Sequence, residues 1–133
     1  MKTTHVRILT AVALATVATL ASGCGFAARS PEMYRDDTKA VLDTKSNDIR
    51  ACYDGILQGQ PGVGGRVTVK FDVMADEGKI ANVVVDAANT TAPAPVAECV
   101  TKSITGLAIA PPDARLGQAS FTWEFSQAPA PKS

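Results

Sequence analysis

Three cysteines carry the side chains of this 133-residue chain whose chemistry depends most on where the protein lives. Cys24 closes an apolar leader, in the run Leu20-Ala21-Ser22-Gly23-Cys24, where small residues precede it as a processed secretory signal requires. Cys52 and Cys99 each fall on the apolar stripe of a different predicted helix. Packing those helices on one side of a sheet brings the two sulfurs together, and a disulfide between them persists only in an oxidising compartment. Closing a loop of this length is worth ~4 kcal/mol in the chain-entropy picture, a large share of what a small domain has. The competing reading is two free buried thiols acting as small hydrophobes. Zinc is disfavoured, because two thiolates without a histidine fall short of four ligands. A redox dithiol is disfavoured too, since the residues are far apart and not in a Cys-x-x-Cys arrangement.

Other chemistry is sparse. The single histidine, His5, lies in the leader, so its removal takes away the commonest general base and metal ligand together. Asp48, Asp54, Asp72 and Asp76 fit helix caps or a solvated strand face better than a paired acid/base site. Arg50 and Tyr53 do not form an anion site, because Tyr53 falls on the inward stripe and Arg50 on the wet side. Gly62-Val63-Gly64-Gly65 precedes a strand and has no Gly-Lys-Ser/Thr after it, so it reads as a turn and not as a phosphate loop. Thirteen basic residues balance 13 acidic ones, and losing Lys2 and Arg7 with the leader tips the remainder towards acid. Nucleic acid and polybasic membrane attraction therefore lack an electrostatic footprint. No catalytic residue, cofactor, metal or small-molecule substrate is expected.

The leader itself has a positive start, an uncharged apolar run from Ile8 to Leu20 and a small-residue end. It resembles a bacterial lipoprotein signal, which makes residues 1–23 the signal peptide and Cys24 the lipidation site. The alternative is an uncleaved anchor, since Ile8 to Ala28 is about the ~20 residues that span a bilayer. With cleavage, Gly25 follows the new terminus, and the absence of an aspartate there implies by resemblance the outer membrane, on the periplasmic side.

The elements that must position these residues follow from periodicity. Residues 24–36 read as the acylated cysteine and a short tether, reaching at most about 40 Å, in which Ser30-Pro31-Glu32 suits a short helix start. A helix follows, with Val41, Leu42, Ile49, Cys52, Tyr53, Ile56 and Leu57 on one face. Lys45 interrupts it, so either its stem snorkels past the core or the helix breaks near Asn47 and restarts with Asp48 as cap. Arg66 to Met74 alternates as a strand, with Val67, Val69, Phe71 and Val73 inward and Thr68, Lys70 and Asp72 in water. Asp76-Glu77-Gly78-Lys79 supplies a hairpin turn, with Gly78 free to take positive φ. A return strand spans Ile80 to Asp86, with a bulge near Ala81 and Asn82 bringing Ile80 into phase with Val83 and Val85. A second helix carries Val96, Cys99, Val100, Ile104 and Leu107 inward, its prolines confined to the first turn. Ala119 to Ser126 is the last strand, with Phe121, Trp123 and Phe125 on one face; residues 127–133 read as a disordered tail.

Ile49-Arg50-Ala51-Cys52-Tyr53-Asp54, Gly65-Arg66-Val67-Thr68-Val69-Lys70-Phe71, Gly78-Lys79-Ile80, Val96-Ala97-Glu98-Cys99-Val100 and Phe121-Thr122-Trp123-Glu124-Phe125 together resemble the AgmX/PglI C-terminal domain. That family occurs in myxobacterial and related envelope proteins and is similar to the TonB C-terminal domain. The likeness covers residues 37–126 and implies an α+β fold: two helices on a three-stranded, mainly antiparallel sheet, in the order α-β-β-α-β, stapled by the helix-helix disulfide. It further implies a noncatalytic envelope lipoprotein, a binding or scaffold module of a motility or envelope complex. Membrane attachment comes through acyl chains on Cys24, and protein partners meet an exposed sheet edge with Trp123 and Phe125 as anchors. The alternative is a TonB-like energy transducer with an uncleaved anchor.

Overall fold

A computed structural model describes residues 28–126. Cys24, the leader and the tail at 127–133 lie outside these residues, and so does the lipidation expected at Cys24. Three α-helices and three strands follow one another as α1 (Pro31–Asp43), α2 (Ser46–Gly59), β1 (Gly65–Val73), β2 (Ile80–Val85), α3 (Ala94–Ile104) and β3 (Gly117–Phe125), with a 3-10 turn at Ala87–Asn89 before α3. The sheet is antiparallel throughout and open, in the order β2-β1-β3.

β1 occupies the centre because its sequence is the most strongly alternating. Val67, Val69 and Val73 are fully buried, and Phe71 nearly so. β3 runs beside it in unbroken register from Gly65↔Phe125 to Val73↔Gly117. The β1–β2 ladder slips between Lys70 and Asp72, where Asn82 takes φ 52° and one extra β2 residue is accommodated. This bulge lets Ile80 enter the core while Val83 and Val85 stay on the same side and Val84 faces out. Gly78 closes the hairpin at φ 67°, with its backbone packed against Ile109, so a side chain there has neither the conformation nor the room.

Helices cover one face of the sheet. α3 contributes Val96, Ala97, Val100 and Ile104 to the core, and α2 contributes Ile49 and Tyr53. The Tyr53 hydroxyl donates to the Val63 carbonyl at 2.6 Å, which ties the middle of α2 to the turn leading into β1. No helix among the described residues is long and apolar enough to cross a membrane.

The observed order differs from α-β-β-α-β because the first helical stretch is two helices. The chain breaks at Thr44 and Lys45, two residues before the expected point, and Asp48 lies in the first turn of α2 instead of capping it. Its carboxylate accepts from Lys45 Nζ at 2.9 Å, so the lysine that interrupts the stripe is held at the joint. Residues 29–36, expected as tether, belong to the folded body. The Ser30 hydroxyl accepts from the Met33 N–H, Pro31 opens α1, and Arg29 ahead of them is only 4% exposed. Thr68, expected in water, is buried: its hydroxyl bonds the Asn89 carbonyl and the Thr122 hydroxyl, because the segment after β2 folds across it.

Candidate partner-binding edge

Cys52 and Cys99 are joined by a disulfide across 47 positions, with Cα atoms 5.8 Å apart. It links α2 to α3, the two helices that pack most closely on each other. Only Cys99 is buried, at 2% exposed, whereas Cys52 faces solvent. The expected inward position of Cys52 is therefore corrected: Tyr53, the next residue and about 100° further round the helix, enters the core in its place, and the bond clamps the rim of the helical layer.

That clamp fixes the layer over β1 and leaves β3 as a free border of the sheet. Which backbone groups β3 offers follows from β1. The Thr68 carbonyl accepts from the Asp86 N–H at 2.8 Å and its N–H donates to Thr90 Oγ1; the Arg66 carbonyl accepts from the Thr91 N–H and its N–H donates to Thr91 Oγ1. Even-numbered residues of β1 thus point their amides towards β2, and odd-numbered ones towards β3. In an antiparallel ladder directly opposed residues either exchange both bonds or neither. Trp123 and Phe121, opposite Val67 and Val69, are bonded to β1, and Gln118, Ser120, Thr122 and Glu124 turn their N–H and C=O groups outwards. These residues are exposed, and no backbone hydrogen bond joins β3 to any described element other than β1.

The inner face of β3 is incompletely covered. Phe121, Trp123 and Phe125 pack against the core yet remain half-buried. Phe121 and Trp123 lie with ring centroids 5.2 Å apart, and Phe125 meets Tyr53 at 5.0 Å. Two hollows run end to end along the strand. One of about 410 Å³ lies between α1 and the first half of β3, lined by Tyr34, Thr38, Leu116, Ala119 and Phe121. The other, about 720 Å³, lies between α2 and the second half, lined by Ile49, Arg50, Leu57, Trp123 and Phe125. Trp123 and Phe125, the anchors expected from sequence, therefore share one hollow with Arg50 and Tyr53 on its α2 wall. Tyr34 and Ala119 were not anticipated, because nothing local to either residue says that α1 docks beside β3.

A buried polar knot holds the start of β3 in place. Asp113, 1% exposed, accepts from the Arg29 N–H at 2.9 Å and from the Arg115 N–H and Nε at 3.0 and 3.1 Å. Bonding to the Arg115 side chain, then to the Arg29 N–H, holds its carboxyl far below the usual carboxylate range despite its burial. Arg29 Nη2 donates to the Pro111 carbonyl at 2.6 Å, and Arg115 Nη2 donates to the Arg29 carbonyl. The Tyr34 hydroxyl reaches the Arg115 carbonyl, and its pKa is raised, first by burial and then by Asp113. Asp113 has no solvent access for acid/base work and is fully engaged as an acceptor. Among the described residues no group of three or more His, Cys, Asp or Glu side chains is arranged to hold a metal ion.

The site is thus a nine-residue strand border flanked by aromatic rings on an α+β body, a geometry suited to strand addition. No family model, curated protein or solved structure matches the chain.

Proposed function

We propose that the chain is a noncatalytic lipoprotein of the cell envelope, acylated on Cys24, which acts as a protein-binding or scaffold module by accepting a partner strand along β3. The observation that carries the reading is the outward row of amides at Gln118, Ser120, Thr122 and Glu124 beside half-buried Phe121, Trp123 and Phe125. Main-chain hydrogen bonds supply affinity in such pairing, and pockets for alternate side chains supply selectivity. The disulfide supports an oxidising compartment, and the small-residue run ending at Cys24 supports acylation there, on the periplasmic side of the outer membrane. Resemblance to the AgmX/PglI and TonB C-terminal domains supports the same mode of partner contact, in a motility or envelope complex.

The competing reading, a transducer working from an uncleaved anchor, needs a long spacer. Arg29 already belongs to the folded body, and the four residues between it and Cys24 reach about 14 Å at most whatever their conformation. Intact-mass measurement of the membrane-extracted protein decides between them: a diacyl- or triacylated chain beginning at Cys24 supports the lipoprotein, and a retained Met1 overturns it. For the binding role, Ser120→Pro removes one outward N–H without touching a β1 bond, and it is expected to abolish crosslinks from β3 to envelope proteins. Crosslinks that survive this substitution unchanged overturn the strand-addition reading.

A further inference from the structure

Resting on the lipoprotein reading, we propose that the hollow of about 410 Å³ between α1 and β3 is a headgroup site for an anionic phospholipid of the leaflet that holds the Cys24 acyl chains. Arg29, Arg35 and Arg115 line this hollow, and no carboxylate does. The sequence shows no basic run there, because the three arginines meet only when the loop before β3 docks on the start of α1. Their acidic partners stand outside the lining: Asp37 accepts from Arg29 Nε, Asp113 from Arg115 and Asp36 from Arg35, and Glu32 lies outside it too. The Arg35–Asp36 pair joins two exposed neighbours, so it contributes little and leaves the Arg35 fork to a better acceptor.

One group in the wall of the hollow lacks a partner. The Arg29 side chain is 3% exposed, its Nε and Nη2 are engaged, and its Nη1 has no acceptor, the one buried side-chain nitrogen or oxygen in that position among the described residues. A buried charged donor left without a bond is costly, and a small turn of the guanidinium towards the hollow gives it a phosphate oxygen instead. Arg35, whose side chain is 71% exposed, and Arg115 Nη1, which donates to nothing among the described residues, close on the same phosphate. Beside them Pro31, Leu116 and Phe121 give an apolar wall for the first carbons of the acyl chains. The volume lies at the low end of ligand sites, about 300–1,000 Å³, which suits a headgroup and not a whole lipid. Position selects a lipid phosphate over a free one. The tether from Cys24 holds Arg29 within about 14 Å of the anchor, and Met33 and Leu116, 57% and 53% exposed, stand at the same end of the body, next to the Ser30 cap and to Arg115.

Full-length protein extracted from envelopes tests the site through Leu116→Cys, labelled with an environment-sensitive dye while Cys24 is acylated and Cys52–Cys99 oxidised. It is reconstituted into vesicles of phosphatidylcholine, with and without about 30% phosphatidylglycerol, that contain headgroup-spin-labelled phosphatidylcholine as quencher. Quenching is expected to be at least about threefold greater with phosphatidylglycerol, and Arg35→Glu and Ala119→Leu, which reverses one charge and fills the hollow, are each expected to remove the excess. Equal quenching in the two vesicles overturns the site. So does a loss in only one variant: Arg35→Glu alone marks surface attraction without a hollow, and Ala119→Leu alone an apolar contact without phosphate recognition. Inorganic phosphate at the ionic strength of a chloride control is expected to change nothing further; if it abolishes the excess, the hollow takes a free anion and the lipid assignment falls. Should intact mass show no acyl groups, the lipoprotein reading fails by itself, and the same label mixed with the same vesicles still decides the hollow.

Discussion

The Arg29 N–H donates to the Asp113 carboxylate at 2.9 Å across 84 positions of sequence, binding the residue before α1 to the loop before β3. The bond lies under a buried carboxyl whose pKa is driven well below normal, first by the Arg115 side chain and then by the Arg29 N–H. An unfolded aspartate titrates at about 3.9. Because the folded value is lower, the stabilisation is fully present above about pH 4 and is lost as pH falls towards the folded value. Thermal melts of the wild type are expected to drop steeply below about pH 4, and those of Asp113→Asn to start lower and fall less. Asp86, whose pKa is lowered by Asn89 and then by Lys70, keeps part of the acid dependence in the variant. Parallel acid limbs in the two proteins would show that Asp113 does not carry the effect.

The clamp between α2 and α3 gives a second expectation. Reduction, or Cys52→Ser with Cys99→Ser, is expected to lower unfolding free energy by about 2–4 kcal/mol in denaturant titrations at neutral pH. Exposure of Cys52 adds that mild reductant reaches the bond in the native state. Thiol titration of the denatured, unreduced protein is expected to find neither Cys52 nor Cys99 free, and a stoichiometric signal from both would remove the clamp altogether.

Local pattern made much of this body readable. Alternation in β1, the bulge near Asn82, the αL turn at Gly78 and the α3 stripe all follow from nearest neighbours in sequence, and each stands where periodicity puts it. The unread parts are those decided by distant contacts. Arg29 looks like a solvated tether residue until Asp113 and Pro111 are brought to it by the fold. Ser30-Pro31 announced a helix start, yet no pattern said that α1 would dock beside β3. Cys52 and Tyr53 are adjacent on the stripe, and which of them turns inward is set by how α2 rotates against Phe125. The site was legible as aromatics on a last strand; its outward amides depend on β1 parity, which the sequence does not carry.

Gly117 opens β3 directly beneath Tyr34. A Cβ at this position would lie 2.5 Å from the Tyr34 ring, which is itself held by its hydroxyl on the Arg115 carbonyl. Gly117→Ala is therefore expected to cost about 1–3 kcal/mol through overpacking, read as a lower denaturant midpoint with unchanged slope. Tyr34→Phe with Gly117→Ala frees the ring to shift, and the double variant is expected to recover part of the loss. A Gly117→Ala protein as stable as wild type would mean that α1 does not pack on β3 as described.

Trp123 is the only tryptophan, and it lies half-buried on the strand proposed to receive a partner. Its emission therefore reports on that border without added label. In dilute detergent-solubilised protein the ring is partly hydrated and the emission is expected towards the red. A partner strand, supplied as a tryptophan-free peptide from a protein crosslinked at β3, pairs alongside and moves the indole away from water, so the maximum shifts to the blue. Ser120→Pro removes an outward N–H but leaves the Val67↔Trp123 pairing in place, and its emission is expected to stay red with or without that peptide. A blue shift that appears equally in wild type and Ser120→Pro would trace the change to detergent or to the Trp123–Phe121 contact within one chain, and β3 would then have no part in pairing.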